Sequence, residues 1–289
     1  MLSESMQKKT FISSLIGISL FLNAYFTVAQ KSTVSQGPQT KKIKGFSYSI
    51  FGEKYAATPL LDKKLRGHVY YLVSGHGGPD PGAMSKIEQG WLCEDEYAYD
   101  ITLRLARNLL SHGAKVYIIV RDENDGIRDA GYLKQDKDEV VWGDKDIPLN
   151  QKERLKQRTQ IINELFAENV RKGYKIQRAI EIHIDSRYTG QKVDLFFYHS
   201  KDSKIGQELA TTMQKTVKRK YDEFQKNRGY TGTVSPRDLW MIRETKPPMV
   251  YIEVGNITNT FDQKRLLIPN NRQAMANWLA LGILEHTQK

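Results

Sequence analysis

The stretch that decides the fold is YLVSGHGGPDPGAM, residues 71–84. An apolar run ends at Ser74, and a cluster of glycines and prolines around a single histidine, His76, follows at once. Continuous apolar runs are typical of strands that are buried on both faces of a parallel sheet. Whether His76 is a ligand or only a polar residue in a tight turn depends on what the rest of the chain places beside it.

Apolar runs and helix-like runs alternate along the chain. The predicted strands are 68–74, 115–120, 179–185, 193–199 and 249–255. The predicted helices are 94–113, 151–173, 205–224 and 271–287. Buried strands separated by helices predict an α/β fold, in which a mostly parallel central sheet carries helices on both faces within a single domain.

The first 29 residues have the pattern of a secretory signal. Lys8 and Lys9 precede an apolar stretch at 11–29, and small residues stand near its end. An uncleaved membrane anchor is the alternative, because the stretch is just long enough to span a bilayer. Residues 30–44 are polar and basic, and 30–66 is interpreted as a linker and N-terminal extension. We therefore expect an exported protein of the periplasm or cell envelope, with membrane contact only through 11–29 if that segment is uncleaved.

Charge and cysteine content exclude several classes of protein. The 289 residues carry a formal net charge of +11, which suits nucleic acid, a membrane surface or an acidic cell-wall polymer. The export signal and the lack of an aromatic-basic motif argue against nucleic acid. Cys93 is the only cysteine, which excludes an intrachain disulfide and a cysteine-rich metal site.

Four side chains of metal-binding or acid–base type stand at one edge of the predicted sheet. His76, His183 and Glu253 lie at or after the ends of strands, and Glu94 begins the first long helix. The carboxyl ends of parallel strands meet at one edge, where functional groups collect. Two imidazoles and one carboxylate form a common catalytic zinc set, and a further carboxylate can act as general base.

Each of these residues also has a simpler interpretation. A lone histidine such as His76 is more often a polar loop residue, and His183 fits a hydrogen-bonded core histidine. Glu94 can compensate the helix dipole, and its neighbours Glu88, Asp95 and Glu96 compete with it as ligands. Glu253 is harder to explain in this way, because an acid within an apolar strand is costly to bury without a partner. The sequence contains no HExxH pair, no GxSxG elbow and no GxxxxGK[ST] loop.

These residues resemble the zinc-dependent N-acetylmuramoyl-L-alanine amidases of the peptidoglycan amidase 3 type. GHGGPDPGA (75–83) matches the first motif of that family in full, and a glutamate opening a helix follows at Glu94. RTQIIN (158–163) is similar to a helical motif with an arginine and an asparagine. EIHID (181–185) and EVGNITN (253–259) are similar to the last two motifs, and the resemblance extends over about 68–285.

The resemblance implies a zinc amidase domain at 67–289 whose substrate is peptidoglycan. It implies that His76, Glu94 and His183 bind Zn²⁺ and that Glu253 is the general base. The implied reaction is hydrolysis of the amide between the lactyl group of N-acetylmuramic acid and the L-alanine of the stem peptide. A zinc peptidase acting on another cell-wall amide and a catalytically idle wall-binding protein are the alternatives, and a protein activator is a further candidate partner.

The sequence departs from the family pattern in three places. Val73 and Ser74 replace an Asp-Pro pair, so a carboxylate that could support the first ligand is missing. Asn256 replaces an aromatic residue. Residues 121–148 are longer than the usual connection and contain nine Asp or Glu residues, so they are interpreted either as a lid or inhibitory element or as a solvated insertion.

Three further residues are candidates for substrate binding: Asn256, His199 and Arg158. His199 follows a predicted strand that could reach the same edge of the sheet. Arg158 and Asn163 could orient the loop near the site, with packing and helix capping as the alternative.

Overall fold

The computed structural model describes residues 45–186 and 190–288. The predicted signal or anchor at 1–29 and the polar segment 30–44 lie outside the described residues. Within the described ranges, no helix is long and apolar enough to cross a membrane.

The helices and strands follow one another along these residues in a regular α/β alternation. The helices are α1 (Glu94–Ser111), α2 (Gln151–Arg171), α3 (Lys204–Phe224), α4 (Trp240–Glu244), α5 (Thr260–Leu267) and α6 (Pro269–Thr287), with a short 3-10 helix at Ser49–Phe51. The strands are β1 (Gly45–Ser47), β2 (Ala57–Pro59), β3 (His68–Ser74), β4 (Met84–Ile87), β5 (Gly90–Cys93), β6 (Lys115–Ile118), β7 (Val120–Arg121), β8 (Val140–Val141), β9 (Lys145–Asp146), β10 (Ile176–Asp185), β11 (Phe196–His199), β12 (Val234–Pro236) and β13 (Met249–Asn256).

The central sheet has the strand order β12–β11–β13–β10–β3–β6. Every neighbouring pair is parallel except β11 and β13, which run antiparallel. The predicted class, an α/β fold with a mostly parallel sheet, is therefore confirmed.

Both faces of the sheet are covered, which is why β3 is apolar at almost every position. Tyr70 and Leu72 point into a core that contains side chains of α1, α3 and α6. Val69, Tyr71 and Val73 point to the opposite face and pack with side chains of α2 and α4. Because side chains alternate between the two faces of a strand, one apolar run supplies two cores.

The described part of the N-terminal extension packs against α1. Phe51 and Leu65 have no exposed surface and belong to the core beneath that helix. Arg107 of α1 donates hydrogen bonds to the carbonyl oxygens of Tyr55 and Ala57, over 3.0 and 2.8 Å. Residues 45–66 are therefore tied to the domain by buried apolar contacts as well as by hydrogen bonds.

Four predicted strands have different bounds from those expected: β10 begins at Ile176 rather than at residue 179, and β13 ends at Asn256, one residue later than predicted. The strand predicted at 193–199 begins only at Phe196, and the one predicted at 115–120 is divided into β6 and β7. Val120 leaves the central sheet to pair with Val141 of β8. The apolar run continues through this point because the small sheet β7–β8–β9 also buries side chains.

A buried ion-pair network connects α1 with α6. Asp100 accepts hydrogen bonds from Nε of Arg104 at 2.7 Å and from Nε of Arg272 at 2.6 Å. Arg272 also donates to the carbonyl oxygens of Arg128 and Ala130, at 2.8 and 2.9 Å. Asp100 and Arg272 have no exposed surface. Removal of one charge would leave the other buried without its partner, which is costly.

We expect Arg272→Ala to lower the free energy of unfolding by about 3–5 kcal/mol, because it breaks a buried pair. The matched control is Arg219→Ala, which removes a half-exposed pair with Glu285 and should cost about 1 kcal/mol or less. Denaturant unfolding of both variants measures the difference. Equal losses would show that the buried network does not stabilise this fold.

Candidate metal centre

His76 lies in a turn that leaves the sheet directly after β3. Its φ is 64°, and Gly77, Gly78 and Gly82 also have positive φ values, of 103°, 61° and 68°. Residues other than glycine rarely adopt this conformation, so His76 is held in a strained backbone position. The backbone N–H of Gly77 donates to the carbonyl of Asp80 at 2.8 Å, and this closes the turn. The imidazole is thereby presented at the carboxyl edge of the sheet.

Glu94 is the first residue of α1, and the residue as a whole is 3% exposed. Oε2 accepts a hydrogen bond from the backbone N–H of Ala83 at 2.8 Å. Oε1 accepts one from the backbone N–H of Ile184 at 2.9 Å. These two amides hold the carboxylate between the turn that follows β3 and the end of β10.

His183 stands near the carboxyl end of β10 and faces α2. Its ring stacks on the ring of Tyr251 in β13, with centroids 4.3 Å apart and planes 15° from parallel. Its Nδ1 lies 2.8 Å from Oε1 of Glu94, and its Nε2 lies 3.1 Å from Oε1 of Glu181. A stacked ring with a partner on each nitrogen can adopt only one orientation.

The structure brings the three predicted ligands together. One donor atom from each of His76, Glu94 and His183 lies within 4.8 Å of the other two. Nε2 of His76 is 3.3 Å from Oε2 of Glu94. Two imidazole nitrogens and one carboxylate oxygen are a donor set that suits zinc in a catalytic site with an open position.

Each histidine has a carboxylate behind it. Nδ1 of His76 is 2.8 Å from Oδ2 of Asp80, which leaves Nε2 facing Glu94. Nε2 of His183 faces Glu181 in the same way, which leaves Nδ1 facing Glu94. Histidines that bind metals commonly donate their second nitrogen to a carboxylate, which fixes the tautomer and orients the ring. The support that the sequence appeared to lack before His76 is supplied by Asp80, four residues after it.

Two arginines of α2 lie behind these groups. Nη2 of Arg154 donates to Oδ2 of Asp80 at 2.5 Å, and Nη2 of Arg158 donates to the carbonyl oxygen of His76. Both arginines are buried. They line a cavity of about 190 Å³ together with the two histidines, Asp80, Glu181 and Tyr251. One face of α2 therefore forms a wall of the candidate centre, and its two arginines hold the turn that carries His76 in place.

The carboxylates and imidazoles stabilise one another's charges. Burial opposes protonation of His183, but its contacts with Glu181 and Glu94 outweigh this effect and raise its pKa to about 10. Burial would raise the pKa of Glu94, but the two imidazoles hold that pKa well below its usual range. Burial also acts on Asp80, whose pKa is nevertheless lowered by His76. The group therefore favours ionised carboxylates, the form in which Glu94 can bind a cation.

At two glycines, Gly75 and Gly82, the predicted ligand side chains lie too close to leave room for a Cβ atom. A Cβ added to Gly75 would lie 2.3 Å from Cε1 of His183. A Cβ added to Gly82 would lie 2.6 Å from Cδ2 of His76 and 2.7 Å from Oε2 of Glu94. The glycines of the opening motif therefore form a cradle for the ligand side chains, and this fits a metal centre in which the donors must converge.

Residues 71–285 match the family model described as N-acetylmuramoyl-L-alanine amidase. The chain belongs to the N-acetylmuramoyl-L-alanine amidase family. The enzyme class that the sequence predicts, an amidase acting on peptidoglycan, is thereby confirmed.

Individual relatives agree with this family membership. The germination-specific N-acetylmuramoyl-L-alanine amidase of Bacillus subtilis (strain 168) is 26% identical over 228 residues, which cover 77% of this chain and 81% of that protein. The CwlD amidase from Clostridioides difficile was solved in complex with the GerS lipoprotein. It superposes on this chain with a TM-score of 0.55 at 22% sequence identity, and the match covers 76% of this chain and 98% of the CwlD chain. The catalytic domain of CwlV from Bacillus (Paenibacillus) polymyxa var. colistinus has a TM-score of 0.53 at 20% sequence identity. This match covers 76% of this chain and 98% of the CwlV domain. The structural likenesses show that the fold is shared.

Glu253 of the amidase lies beside His183. The strands β10 and β13 are parallel, and the Cα atoms of His183 and Glu253 are paired in their register. Paired residues of neighbouring strands point to the same face and lie about 5 Å apart. Glu253 is buried, with 6% of the residue exposed. The predicted base therefore stands on the same face of the sheet as the candidate ligand.

The expectation that His199 reaches this edge is wrong. Strand β11 runs antiparallel to β13, so His199 pairs with Val250, whereas Phe196 pairs with Glu253. His199 thus lies toward the opposite edge of the sheet, where its Nδ1 is 2.8 Å from the carbonyl oxygen of Ser200. A buried apolar strand does not reveal its direction in the sequence, and the prediction assumed a parallel one.

Asn256 also has a role other than the predicted contact with substrate. It has no exposed surface, and its Nδ2 donates to the carbonyl of Gln191 at 2.9 Å. Its Oδ1 accepts hydrogen bonds from the backbone and side chain of Thr258, at 2.9 and 2.7 Å. The side chain therefore orders the turn after β13.

Arg158 and Asn163 hold neighbouring segments in place, as the simpler interpretation suggested. Arg158 is 3% exposed and donates to the backbone of His76, so it orients the turn. Asn163 donates to the carbonyl of Glu244 at 2.8 Å and accepts from the N–H of Lys246 at 2.7 Å. It connects α2 to the segment that follows α4.

The segment 121–148 packs against α1 and against the turn that carries His76. Leu133 and Val141 are buried, and the N–H of Leu133 donates to the hydroxyl of Tyr97 in α1 at 3.0 Å. Oε2 of Glu139 accepts a hydrogen bond of 2.6 Å from the N–H of Gly78, within the turn that carries His76. These contacts do not fit a solvated insertion, because the segment touches both α1 and the ligand turn.

Four side chains of the site were not predicted: Asp80, Arg154, Glu181 and Tyr251. Two of them left a signal in the sequence. Glu181 stands two residues before His183, on the same face of an apolar strand, where an acid needs a partner. Asp80 lies within the histidine turn itself, where it also accepts a hydrogen bond from the N–H of Gly82 at 3.2 Å.

We expect Gly82→Ala to displace His76 and Glu94 and to lower the affinity of the amidase for zinc at least tenfold. The matched control is Gly143→Ala, where φ is 89° and no atom lies within 4 Å of the added carbon. Both variants incur a backbone cost of about 1–2 kcal/mol. Competition with a chelating dye measures zinc affinity. Equal affinity in the two variants would show that the glycine does not make room for the ligands.

Proposed function

We propose that the amidase hydrolyses the amide between N-acetylmuramic acid and L-alanine with a zinc ion held by His76, Glu94 and His183. The observation that carries this proposal is the convergence of their donor atoms within 4.8 Å at the carboxyl edge of the sheet. A group of residues that only packed the core would not place a carboxylate behind each imidazole. Zinc supplies Lewis-acid chemistry, since it polarises a carbonyl group and lowers the pKa of water.

The side chains around the ligands prepare the site before substrate binds. Asp80 and Glu181 would accept hydrogen bonds from the outer N–H groups of the two imidazoles, and the inner nitrogens, which face Glu94, would be the ones that hold the zinc ion. Arg154 holds Asp80, and Arg158 holds the turn by the carbonyl of His76. Preorganisation of this kind means that the donors need not move when the reaction begins.

Glu253 acts as the general base in this proposal. Its carboxylate takes a proton from the attacking water and returns it to the nitrogen of the leaving L-alanine. The role requires a carboxylate close to the ligands, and the pairing of Glu253 with His183 across two parallel strands supports that position. Both strands belong to the centre of the sheet, so the separation of base and ligand is set by a rigid element.

Export and partner binding belong to the same proposal. The basic and apolar segment at 1–29 would deliver the enzyme to the periplasm or cell envelope, where peptidoglycan lies. The net charge of +11 suits an anionic wall polymer. A protein activator stays a prediction, supported by the similarity to an amidase that was solved with a lipoprotein.

Digestion of purified peptidoglycan tests the reaction. We expect the zinc-loaded protein to release stem peptides that begin with L-alanine, identified by mass spectrometry. Treatment with a chelator should abolish release, and added zinc should restore it. New ends within the stem peptide would instead identify a peptidase, and intact peptidoglycan under all conditions would identify an idle wall-binding protein.

Two substitutions separate the base from the ligands. Glu253→Gln should lower the rate by about 10²–10⁴-fold with unchanged zinc content, because it removes only proton transfer. His76→Ala should lose both activity and zinc, because it removes a ligand. Metal analysis and the peptidoglycan assay measure the two properties. Full activity of Glu253→Gln would contradict the assignment of the base.

A further inference from the structure

The hairpin formed by β4 and β5 adjoins the candidate metal centre. Its first strand begins directly after Ala83, whose backbone N–H donates to Oε2 of Glu94 at 2.8 Å. Its second strand ends at Cys93, the residue before Glu94. Both ends of the hairpin are therefore anchored at the same proposed zinc ligand.

One face of the hairpin packs on the rest of the domain. Leu92 has no exposed surface and belongs to the core that contains α1. Ser85 is paired with Leu92 and accepts a hydrogen bond from Nε2 of Gln263 in α5 at 3.2 Å. At the start of β5, a Cβ added to Gly90 would lie 2.3 Å from the hydroxyl oxygen of Tyr132. These contacts fix the position of the hairpin.

The other face of the hairpin is exposed and carries a tryptophan. Met84, Lys86 and Trp91 lie on this face, because Lys86 is paired with Trp91 and side chains alternate along a strand. Trp91 is 47% exposed and Met84 is 37% exposed. Nζ of Lys86 lies 5.1 Å from the centroid of the indole ring. A large aromatic side chain and a hydrogen-bond donor are thus exposed side by side on a fixed hairpin.

The indole lies close to the place where the proposed reaction would occur. Trp91 stands three residues before Glu94. Three residues of extended chain span at most about 11 Å, which limits the distance between the Cα atoms of these two residues. Only a lactyl ether link separates the scissile amide from the pyranose ring of N-acetylmuramic acid. With that amide at the zinc ligands, a glycan strand that leaves the centre where α1 begins would pass over the exposed face of the hairpin.

We propose that the exposed face of the hairpin, centred on Trp91, binds a pyranose ring of the glycan strand. The face of an indole ring is apolar and carries partial negative charge, so it suits the C–H groups on one face of a pyranose. The hydroxyl groups at the edge of the sugar can accept hydrogen bonds from the ammonium group of Lys86. Single exposed apolar side chains are common, but Trp91 differs from them because a fixed hairpin connects it to a proposed zinc ligand.

This inference rests on the proposed function, since it assigns the sugar side of the same substrate. It adds that the enzyme recognises the glycan as well as the amide. The aromatic side chain would contribute to binding and would take no part in the chemical step.

Binding of a peptide-free glycan tests the site without the reaction. A soluble oligosaccharide of alternating N-acetylglucosamine and N-acetylmuramic acid, from which the stem peptides have been removed, is titrated into the zinc-loaded enzyme in a calorimeter. Trp91→Ala should weaken binding about tenfold or more, whereas Trp91→Phe keeps an aromatic face and should lose less. No binding to the wild type, or equal binding by the wild type and Trp91→Ala, would overturn the proposal.

Phe224→Ala is the matched control for these variants. Phe224 is 64% exposed and also has a lysine over its ring, with Nζ of Lys220 at 5.4 Å from the centroid. It stands on α3, which carries no proposed ligand. This variant should bind the glycan like the wild type. A loss as large as that of Trp91→Ala would show that the effect is not specific to the hairpin.

Kinetics on two soluble substrates separate sugar binding from damage to the centre. One substrate is a disaccharide that carries the stem peptide, and the other is the same stem peptide with only a lactyl group on its L-alanine. Trp91→Ala should raise KM for the disaccharide about tenfold with unchanged kcat, because the sugar is held equally before and during the reaction. The variant should cleave the lactyl peptide like the wild type. An equal loss on both substrates would contradict a sugar site.

The two proposals fail in different ways. A wild-type enzyme that binds the glycan through Trp91 but releases no stem peptide would contradict only the proposed reaction. Release of stem peptides by a Trp91→Ala variant with wild-type KM and wild-type glycan affinity would contradict only the sugar site. Zinc content and Tm, measured on every variant, show whether the centre and the fold are intact.

Discussion

The buried carboxylate of Glu94 is the contact on which the candidate centre depends. It accepts hydrogen bonds from the backbone N–H groups of Ala83 and Ile184 and lies beside both imidazoles. One side chain therefore connects α1, the turn after β3 and the end of β10. Burying a carboxylate is costly unless its oxygens are paired, and these contacts supply the pairing. The same oxygens that accept hydrogen bonds from the amides face the two histidines, so the contacts that stabilise the fold also form the candidate metal-binding set. Loss of this carboxylate would therefore affect packing and metal binding together.

Charges alternate outward from this carboxylate. The imidazoles come first. The carboxylates of Asp80 and Glu181 lie within hydrogen-bond distance of the outer imidazole nitrogens, and the arginines of α2 lie beyond. Each layer compensates the one before it, so that ionised groups are buried without a large net charge on the α2 side.

Much of the fold and the core of the site could be predicted because they depend on local patterns. The apolar run at β3 indicates a strand buried on both faces, and strands that alternate with helices place His76, His183 and Glu253 at one edge. The direction of β11 could not be predicted, because an apolar strand looks the same in either orientation, and His199 was misplaced for that reason. Asp80 was missed because an aspartate in a glycine-rich turn usually serves the turn itself. Its contact with His76 depends on how the turn after β3 folds back on itself, and the hydrophobic periodicity of a sequence contains no information about the path of a turn.

The register of β10 and β13 explains how the candidate ligand and the proposed base can be held at a fixed separation. His183 and Glu253 are paired, and so are Glu181 and Tyr251 two residues earlier. Because the side-chain period of a strand is two, these four residues share one face, and a slip of one residue would turn all the side chains of one strand to the other face. Buried apolar residues on both strands prevent such a slip, since Ile182 and Ile252 occupy the opposite face. The separation of the candidate ligand His183 and the proposed base Glu253 is thus determined by core packing one residue away from them. Substitutions in that core are therefore expected to change the separation of base and ligand before they unfold the domain.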